Sequence, residues 1–176
     1  VAECDEALRL GGMDPEVYYH LARAYRGLAR PEDARKALER FSALRLQAGR
    51  EVEGHREAAR LMIQAKPLVA EGRLLAAIVL LEQAVSLDAK NPQVLFRLAG
   101  LYYDTRQFHR ARQEVLAAID LAPSEYLYHY LSGLIEQDSG KLNAARTSFE
   151  TAIRLNPSAA ESFNQLGNLA ISRRSF

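Results

Sequence analysis

Apolar positions between residues 126 and 158 form two runs with helical spacing, joined by Ser139-Gly140 and closed by Asn156-Pro157. The same arrangement recurs along the chain at intervals of 34 residues. Small residues mark the interval in three separate columns, which are Ala65, Ala99, Gly133 and Gly167; Ala77, Ala111 and Ala145; and Ala84, Ala118 and Ala152. A fixed period of this length predicts stacked helix-turn-helix units, so we expect an all-α solenoid.

The unit at residues 126–159 resembles the tetratricopeptide repeat family. With Tyr126 as position 1, the small residue that the family favours at position 8 is Gly133. The large residue at position 24 is Phe149, and the proline at position 32 is Pro157. The resemblance implies a right-handed α-solenoid, and it is specific for the fold rather than for a function, because one fold hosts many functions.

The columns of small residues predict the places where two helix backbones approach most closely. A Leu at Gly133 or Ala111 is therefore expected to overpack the core and to lower the melting temperature. Ser132 and Glu136 depart from the family pattern, which favours Leu and Tyr at these positions. We expect the first helix of that unit to be slightly rotated as a result.

The repeat predicts that residues 1–176 form a single solenoid. Its expected parts are the second helix of a partial unit at 1–14, whole units at 15–48, 58–91, 92–125 and 126–159, and a last first helix at 160–176. The step from Ala34 to Ala77 is 43 residues, so nine residues, 49–57, are inserted there. Because this insert is charged and lacks Pro, we expect it to extend the next helix over roughly residues 51–70, with a loop as the alternative. The chain opens in mid-unit, which predicts a piece of a longer protein.

Composition narrows the classes of partner. The formal net charge is +1, so no long-range field favours nucleic acid or an anionic membrane. The single Cys4 excludes an internal disulfide and a multi-cysteine zinc site. No apolar run is long enough to insert into a bilayer. The compartment stays open between the cytoplasm and, if a signal peptide has been removed, an extracytoplasmic space.

The predicted binding surface is the concave wall formed by the first helix of each unit. Positions 5, 9 and 12 lie beside the buried stripe and should face this wall. They are Tyr19, Arg23, Arg26, Met62, Lys66, Val69, Phe96, Gly100, Tyr103, Tyr130, Leu134, Gln137, Asn164, Asn168 and Ile171. Aromatic, Met and Arg side chains are enriched where proteins bind each other. We expect a partner with apolar anchors along the C-terminal units and acidic groups near Arg23, Arg26 and Lys66; the alternative is that individual side chains pack on adjacent units.

No set of residues indicates catalysis, a metal or a cofactor. The four histidines, His20, His55, His109 and His129, are too far apart in sequence for a local metal motif. His129 occupies a core position, so we expect a buried, hydrogen-bonded imidazole. Cys4 is expected to be a small buried hydrophobe.

Three functions remain open at this point. The first is a non-catalytic scaffold that binds a peptide segment or a partner protein in the concave groove. The second is a structural module that self-associates through its repeat ends, where Phe163, Leu166 and Ala170 are expected to have one side uncovered. The third is a regulatory or docking arm of a larger enzyme. Within the resembled family, the clamp for chaperone tails wants Lys at position 5 and Asn at position 9, and Tyr19 and Arg23 stand there instead.

Overall fold

The structure is a computed structural model that describes residues 14–172, with side chains described as far as residue 169. This part of the chain contains eight α-helices and no β-strand. The helices are α1 (Pro15–Gly27), α2 (Pro31–Ala70), α3 (Leu74–Leu87), α4 (Pro92–Asp104), α5 (Phe108–Leu121), α6 (Tyr126–Asp138), α7 (Leu142–Leu155) and α8 (Ala160–Ser172). The predicted all-α repeat fold is confirmed. The predicted helix at residues 1–10 and the role of Cys4 lie outside the described residues.

Helix starts and turns follow from local chemistry. Asp14 Oδ1 accepts a hydrogen bond from the Glu16 amide at 2.9 Å, and Asn91 Oδ1 accepts one from the Gln93 amide at 3.1 Å. Each cap is followed by a Pro at the first helical position, where its missing N–H costs nothing. The turn between the helices of a pair needs one residue with positive φ, and these residues are Ala29, Gly72, Arg106 and Gly140. The last three are 34 residues apart, so the turn geometry repeats with the sequence.

The predicted boundary near residue 51 is wrong as a helix start. A single helix of 40 residues, α2, runs from Pro31 to Ala70 and includes the whole insert at 49–57. The chain has no Pro between Pro31 and Pro67 to end the helix, and the two glycines of the insert, Gly49 and Gly54, do not break it. The expectation that the insert is helical rather than a loop agrees with this helix, whereas the assignment of repeat units along the chain stays a prediction.

The chain divides into two compact units, at residues 1–54 and 55–176. In the first unit, the core consists of Leu21, Ala22 and Ala37. In the second unit, helices α3 to α8 pack in sequence order, each against the next. The alanines of two predicted columns are fully buried there, namely Ala77, Ala84, Ala111, Ala118, Ala145 and Ala152. The 34-residue period therefore marks the close helix–helix contacts of the second unit.

The slight rotation expected for α6 stays a prediction, but its two polar positions face the core. Ser132 and Glu136 are buried at the positions that Leu98 and Tyr102 occupy in α4, so the same helix face points inward in both helices. The polar side chains find partners there. Ser148 Oγ donates a hydrogen bond to Glu136 Oε2 at 2.8 Å, and the Arg112 guanidinium lies 3.9 Å from Glu136 Oε1. Because these groups satisfy the buried carboxylate, the helix does not need to rotate it into solvent.

Candidate functional site

A groove in the second unit lies between the C-terminal part of α2 and helix α4. Its volume is about 260 Å³, and we call it the α2–α4 groove. Its lining side chains and backbone come from Met62, Ala65, Lys66, Val69, Leu81, Arg97, Gly100, Leu101 and Asp104. Most of this lining is apolar, and a concave apolar surface with a few charged groups is the usual form of a ligand-binding site.

Gly100 keeps the middle of the groove open. A Cβ added at this residue would meet no atom within 4 Å, so the space beside it is empty. Met62 is half-buried and packs against the core below, whereas Val69 is exposed over 40% of its surface. A partner side chain can therefore lie on Gly100 between two apolar neighbours.

The charges at the groove are mostly positive. Lys66 and Arg97 are exposed, and neither forms an ion pair with another residue of the 14–172 range. Asp104 is the acidic group in the lining. Two cations without a protein partner, beside apolar surface, favour a ligand that brings acidic groups.

Four of the predicted wall residues come together at this groove. They are Met62, Lys66, Val69 and Gly100. The sequence reasoning missed Arg97 and Asp104. Each of them follows a predicted wall position by one residue, so a wider window around positions 5 and 12 would have included both.

The predicted aromatic residues of the second unit are half-buried and pack against neighbouring rings. The Phe96 ring lies 4.9 Å from the Tyr128 ring, and the Tyr130 ring lies 5.9 Å from the Phe149 ring. These contacts correspond to the alternative reading, in which wall residues pack on adjacent helices. They leave only part of each ring for a partner.

Tyr103 makes both a ring contact and a hydrogen bond within the second unit. Its ring lies 6.0 Å from the Phe108 ring, and its hydroxyl donates a hydrogen bond to Asp138 Oδ2 at 3.0 Å. Burial, followed by the Asp138 hydrogen bond and charge, raises the pKa of Tyr103 to about 12. At neutral pH this side chain is an uncharged donor engaged within the protein.

The remaining predicted residues do not line the α2–α4 groove. Gln137 is half-buried, and its Oε1 atom is buried without a hydrogen-bond partner within the described chain. Asn164 and Asn168 are exposed on α8. In the first unit, Tyr19 is exposed and contacts the rings of His20 and Phe41, while Arg23 and Arg26 are exposed on α1. The side chain of Ile171 lies outside those described.

The other features considered are a metal site, a membrane-spanning helix and the hydrogen bond of His129. Between residues 14 and 172, no three His, Cys, Asp or Glu side chains are grouped so that they could hold a metal ion. Nor does any helix in that range have the length and apolar character needed to cross a membrane. The His129 Nε2 atom lies 2.9 Å from the Pro123 carbonyl oxygen. The expected hydrogen bond of His129 is thus present, although the side chain is half-buried rather than buried.

Comparisons with known proteins agree with the repeat architecture. The curated protein anaphase-promoting complex subunit 3 from Dictyostelium discoideum is 29% identical over 80 residues, which are 46% of this chain and 8% of that protein. Among solved structures, the first TPR domain of Spaghetti (RPAP3) bound to an HSP90 peptide has a TM-score of 0.66 at 21% identity. That likeness covers 68% of this chain and 95% of the other. MamA from Desulfovibrio magneticus RS-1 has a TM-score of 0.64 at 16% identity, with 93% of this chain and 88% of the other covered.

Family models give the clearest result. Three models described as the tetratricopeptide repeat match residues 16–44, 68–135 and 130–176. The matched stretches contain the helix pairs whose small residues repeat every 34 positions. This chain therefore belongs to the tetratricopeptide repeat family.

Proposed function

We propose that this chain is a non-catalytic protein-interaction module that binds a peptide segment of a partner protein in the α2–α4 groove. The observation that carries the proposal is the apolar lining formed by Met62, Val69 and the buried Leu101 around Gly100, flanked by Lys66 and Arg97. A partner segment would place an apolar side chain over Gly100 and acidic groups toward the two cations. Burial of the apolar side chain supplies most of the binding free energy, and the charges determine which partner binds.

The comparisons support a peptide as the class of ligand. The Spaghetti domain that resembles this fold was solved with an HSP90 peptide bound to it. The relative from Dictyostelium discoideum is named as a subunit of a complex, which is in keeping with a role in assembly. Both arguments are by likeness of fold or of a short stretch, so they favour the class of ligand and not a particular partner.

A chaperone tail is not the ligand that we propose. The clamp for such tails wants Lys at position 5 and Asn at position 9 of its first unit. In α2 these positions hold Met62 and Lys66, and in α1 they hold Tyr19 and Arg23. Neither helix supplies the required pair.

Charge reversal at the groove tests the proposal. The probes are short peptides that combine Leu or Phe with Glu, together with the same peptides carrying Lys in place of Glu. We expect the full chain to bind the Glu peptides more tightly than the Lys peptides. The double variant Lys66→Glu with Arg97→Glu should lower the affinity for the Glu peptides by roughly tenfold or more. Lys90→Glu is the matched control, because Lys90 is exposed and outside the groove lining.

Two results would contradict the proposal. If the charge-reversed variant binds the Glu peptides as tightly as the Lys90→Glu control does, the cations of the groove do not recognise the ligand. If neither peptide series binds at all, the α2–α4 groove is not a site for apolar and acidic segments.

Self-association is the second candidate, and one residue favours it. Phe163 on α8 is 49% exposed, which is unusual for a large aromatic side chain on a helix that packs against α7. Phe163→Asp would keep the chain monomeric if this residue mediates assembly. If light scattering shows a monomer at every concentration of the wild-type chain, self-association is ruled out.

A further inference from the structure

The α4 wall of the α2–α4 groove carries opposite charges at its two ends. Arg97, Gly100 and Asp104 follow one another on α4 at steps of three and four residues, so they lie on one face of that helix. All three line the groove. Arg97 and Asp104 are seven residues apart, which is about 10 Å along the helix axis. The open space beside Gly100 thus lies between a cation and an acid.

Asp104 has no cation of the described chain to neutralise it. Its side chain is exposed and forms no ion pair with another residue of the 14–172 range. It is also the last residue of α4, whose last turn contains no basic side chain. The carbonyl end of a helix carries partial negative charge, so a carboxylate there is unfavourable until a cation approaches. The position therefore favours a basic group from a ligand.

The α2 wall of the groove contributes a cation between two apolar side chains. Met62, Lys66 and Val69 follow one another at steps of four and three residues, so they share one face of α2. All three line the groove, and the α2 residues of its lining include no acid. Each wall thus supplies one cation, whereas the acid of the lining comes from α4 alone.

We infer that the segment bound in the α2–α4 groove carries one acidic and one basic side chain, which flank an apolar side chain. The inference rests on the proposed function, because it describes the ligand of the same groove. The acid lies toward Lys66 and Arg97, the apolar side chain lies on Gly100, and the base lies toward Asp104. An extended chain covers about 10 Å in three residues, so the acid and the base stand about three residues apart in the ligand.

Segments with charge of one sign fit the groove less well. A segment whose charges are all acidic places one of them beside Asp104, and a segment whose charges are all basic meets Lys66 and Arg97. Like charges placed against each other at a contact reduce affinity. The groove therefore discriminates by repulsion at both ends as well as by attraction.

Two short peptides test the inference on the full chain. The first contains the sequence Glu-Leu-Ala-Lys between neutral residues, and the second carries Gln in place of Lys. We expect the wild-type chain to bind the first peptide about threefold to tenfold more tightly than the second. Asp104→Asn should bind both peptides alike, because the partner of the Lys side chain is then missing. Isothermal titration calorimetry gives the dissociation constants.

Asp120→Asn is the matched control, because Asp120 is exposed on α5 and lies outside the groove lining. It changes the net charge by the same amount as Asp104→Asn and should leave the preference for the Lys-containing peptide unchanged. Asp104→Asn should not lower the melting temperature, since it removes a carboxylate from the negative end of α4. A lost preference in this variant then reports a lost contact and not unfolding.

Three outcomes contradict the inference. If the wild-type chain binds both peptides equally while Lys66→Glu with Arg97→Glu still weakens both, the proposed function stands and Asp104 does not contact the ligand. If Asp120→Asn removes the preference as fully as Asp104→Asn does, the net charge of the chain determines it. If neither peptide binds, the proposed function itself fails, and the inference fails with it.

Discussion

Gly133 of α6 lies directly against the ring of Phe149 in α7. A Cβ at Gly133 would overlap the ring, at 2.6 Å from Cδ1 and 2.8 Å from Cζ. Phe149 is fully buried, so its ring has little freedom to move away. The close contact explains why this position carries Gly, whereas Ala65 and Ala99 precede it in the same column.

Substitution of Gly133 should destabilise the folded chain. Gly133→Ala is expected to lower the free energy of unfolding by about 1–3 kcal/mol, because the added methyl group overpacks the contact with Phe149. Gly100→Ala is the control, since Gly100 is also inside a helix but faces open space. That control should raise the free energy of unfolding by about 0.5–1 kcal/mol. Urea unfolding of both variants checks the pair, and similar midpoints would show that the Gly133 contact is not tight.

The turn residue Arg106 is under backbone strain that a glycine would relieve. Its φ is 62°, whereas the equivalent residues Gly72 and Gly140 have φ values of 74° and 77°. Arg106→Gly should raise the free energy of unfolding by about 0.5–1 kcal/mol, since the left-handed conformation disfavours a residue with a Cβ. Arg106→Ala keeps the Cβ and should give no such gain. Thermal unfolding distinguishes the two, and a destabilised Arg106→Gly variant contradicts the argument.

Tyr103 should make stability depend on alkaline pH. Burial and the Asp138 contact raise its pKa from 10.0 to about 12 in the folded chain. The folded state therefore retains this proton where the unfolded state loses it. The stabilisation is complete below pH 10 and is lost as pH rises toward 12.

The variant Tyr103→Phe isolates this effect. The difference between wild-type and variant urea midpoints should shrink over this pH range, and Asp138→Asn should reduce the shrinkage. A constant difference between wild type and Tyr103→Phe from pH 10 to 12 would rule out the proposed contribution of Tyr103.

His55 contacts a buried carboxylate within the second unit. Its Nδ1 atom lies 2.8 Å from Asp88 Oδ2, and Asp88, which follows α3, is buried. Asn91 Nδ2 donates to the same oxygen at 2.9 Å. His55→Ala should cost about 1 kcal/mol, because the buried carboxylate then loses one of its partners. His109→Ala, at an exposed position of α5, serves as control; equal unfolding midpoints for both variants would mean that the His55 contact contributes nothing.

The period of the chain could be found from sequence because small residues at closest helix contacts tolerate few replacements. Ala77, Ala111 and Ala145 are all fully buried at such contacts. The continuity of α2 was not predictable in the same way. Gly49 lies in a polar stretch that is compatible with either a helix or a turn, and only the charged composition and the absence of Pro favoured the helix.

The directions of individual side chains limited how much of the binding surface could be predicted from the sequence. Helical positions predicted Met62 and Lys66 at the groove, because the α2 backbone fixes which face they occupy. The position of Met62 is taken in α4 and α6 by Phe96 and Tyr130, whose rings turn onto neighbouring helices. The burial of Glu136 was also hidden, since its partners come from two other helices.

Observation of the Met62 methyl group tests the central claim most directly. The chain has two methionines, so a methyl-labelled sample gives two signals, which Met62→Leu assigns. A peptide that combines Leu or Phe with Glu should shift the Met62 signal in a saturable manner and leave the Met13 signal as the reference. Binding of that peptide with an unchanged Met62 signal would contradict the account, because the ligand would then lie outside the α2–α4 groove.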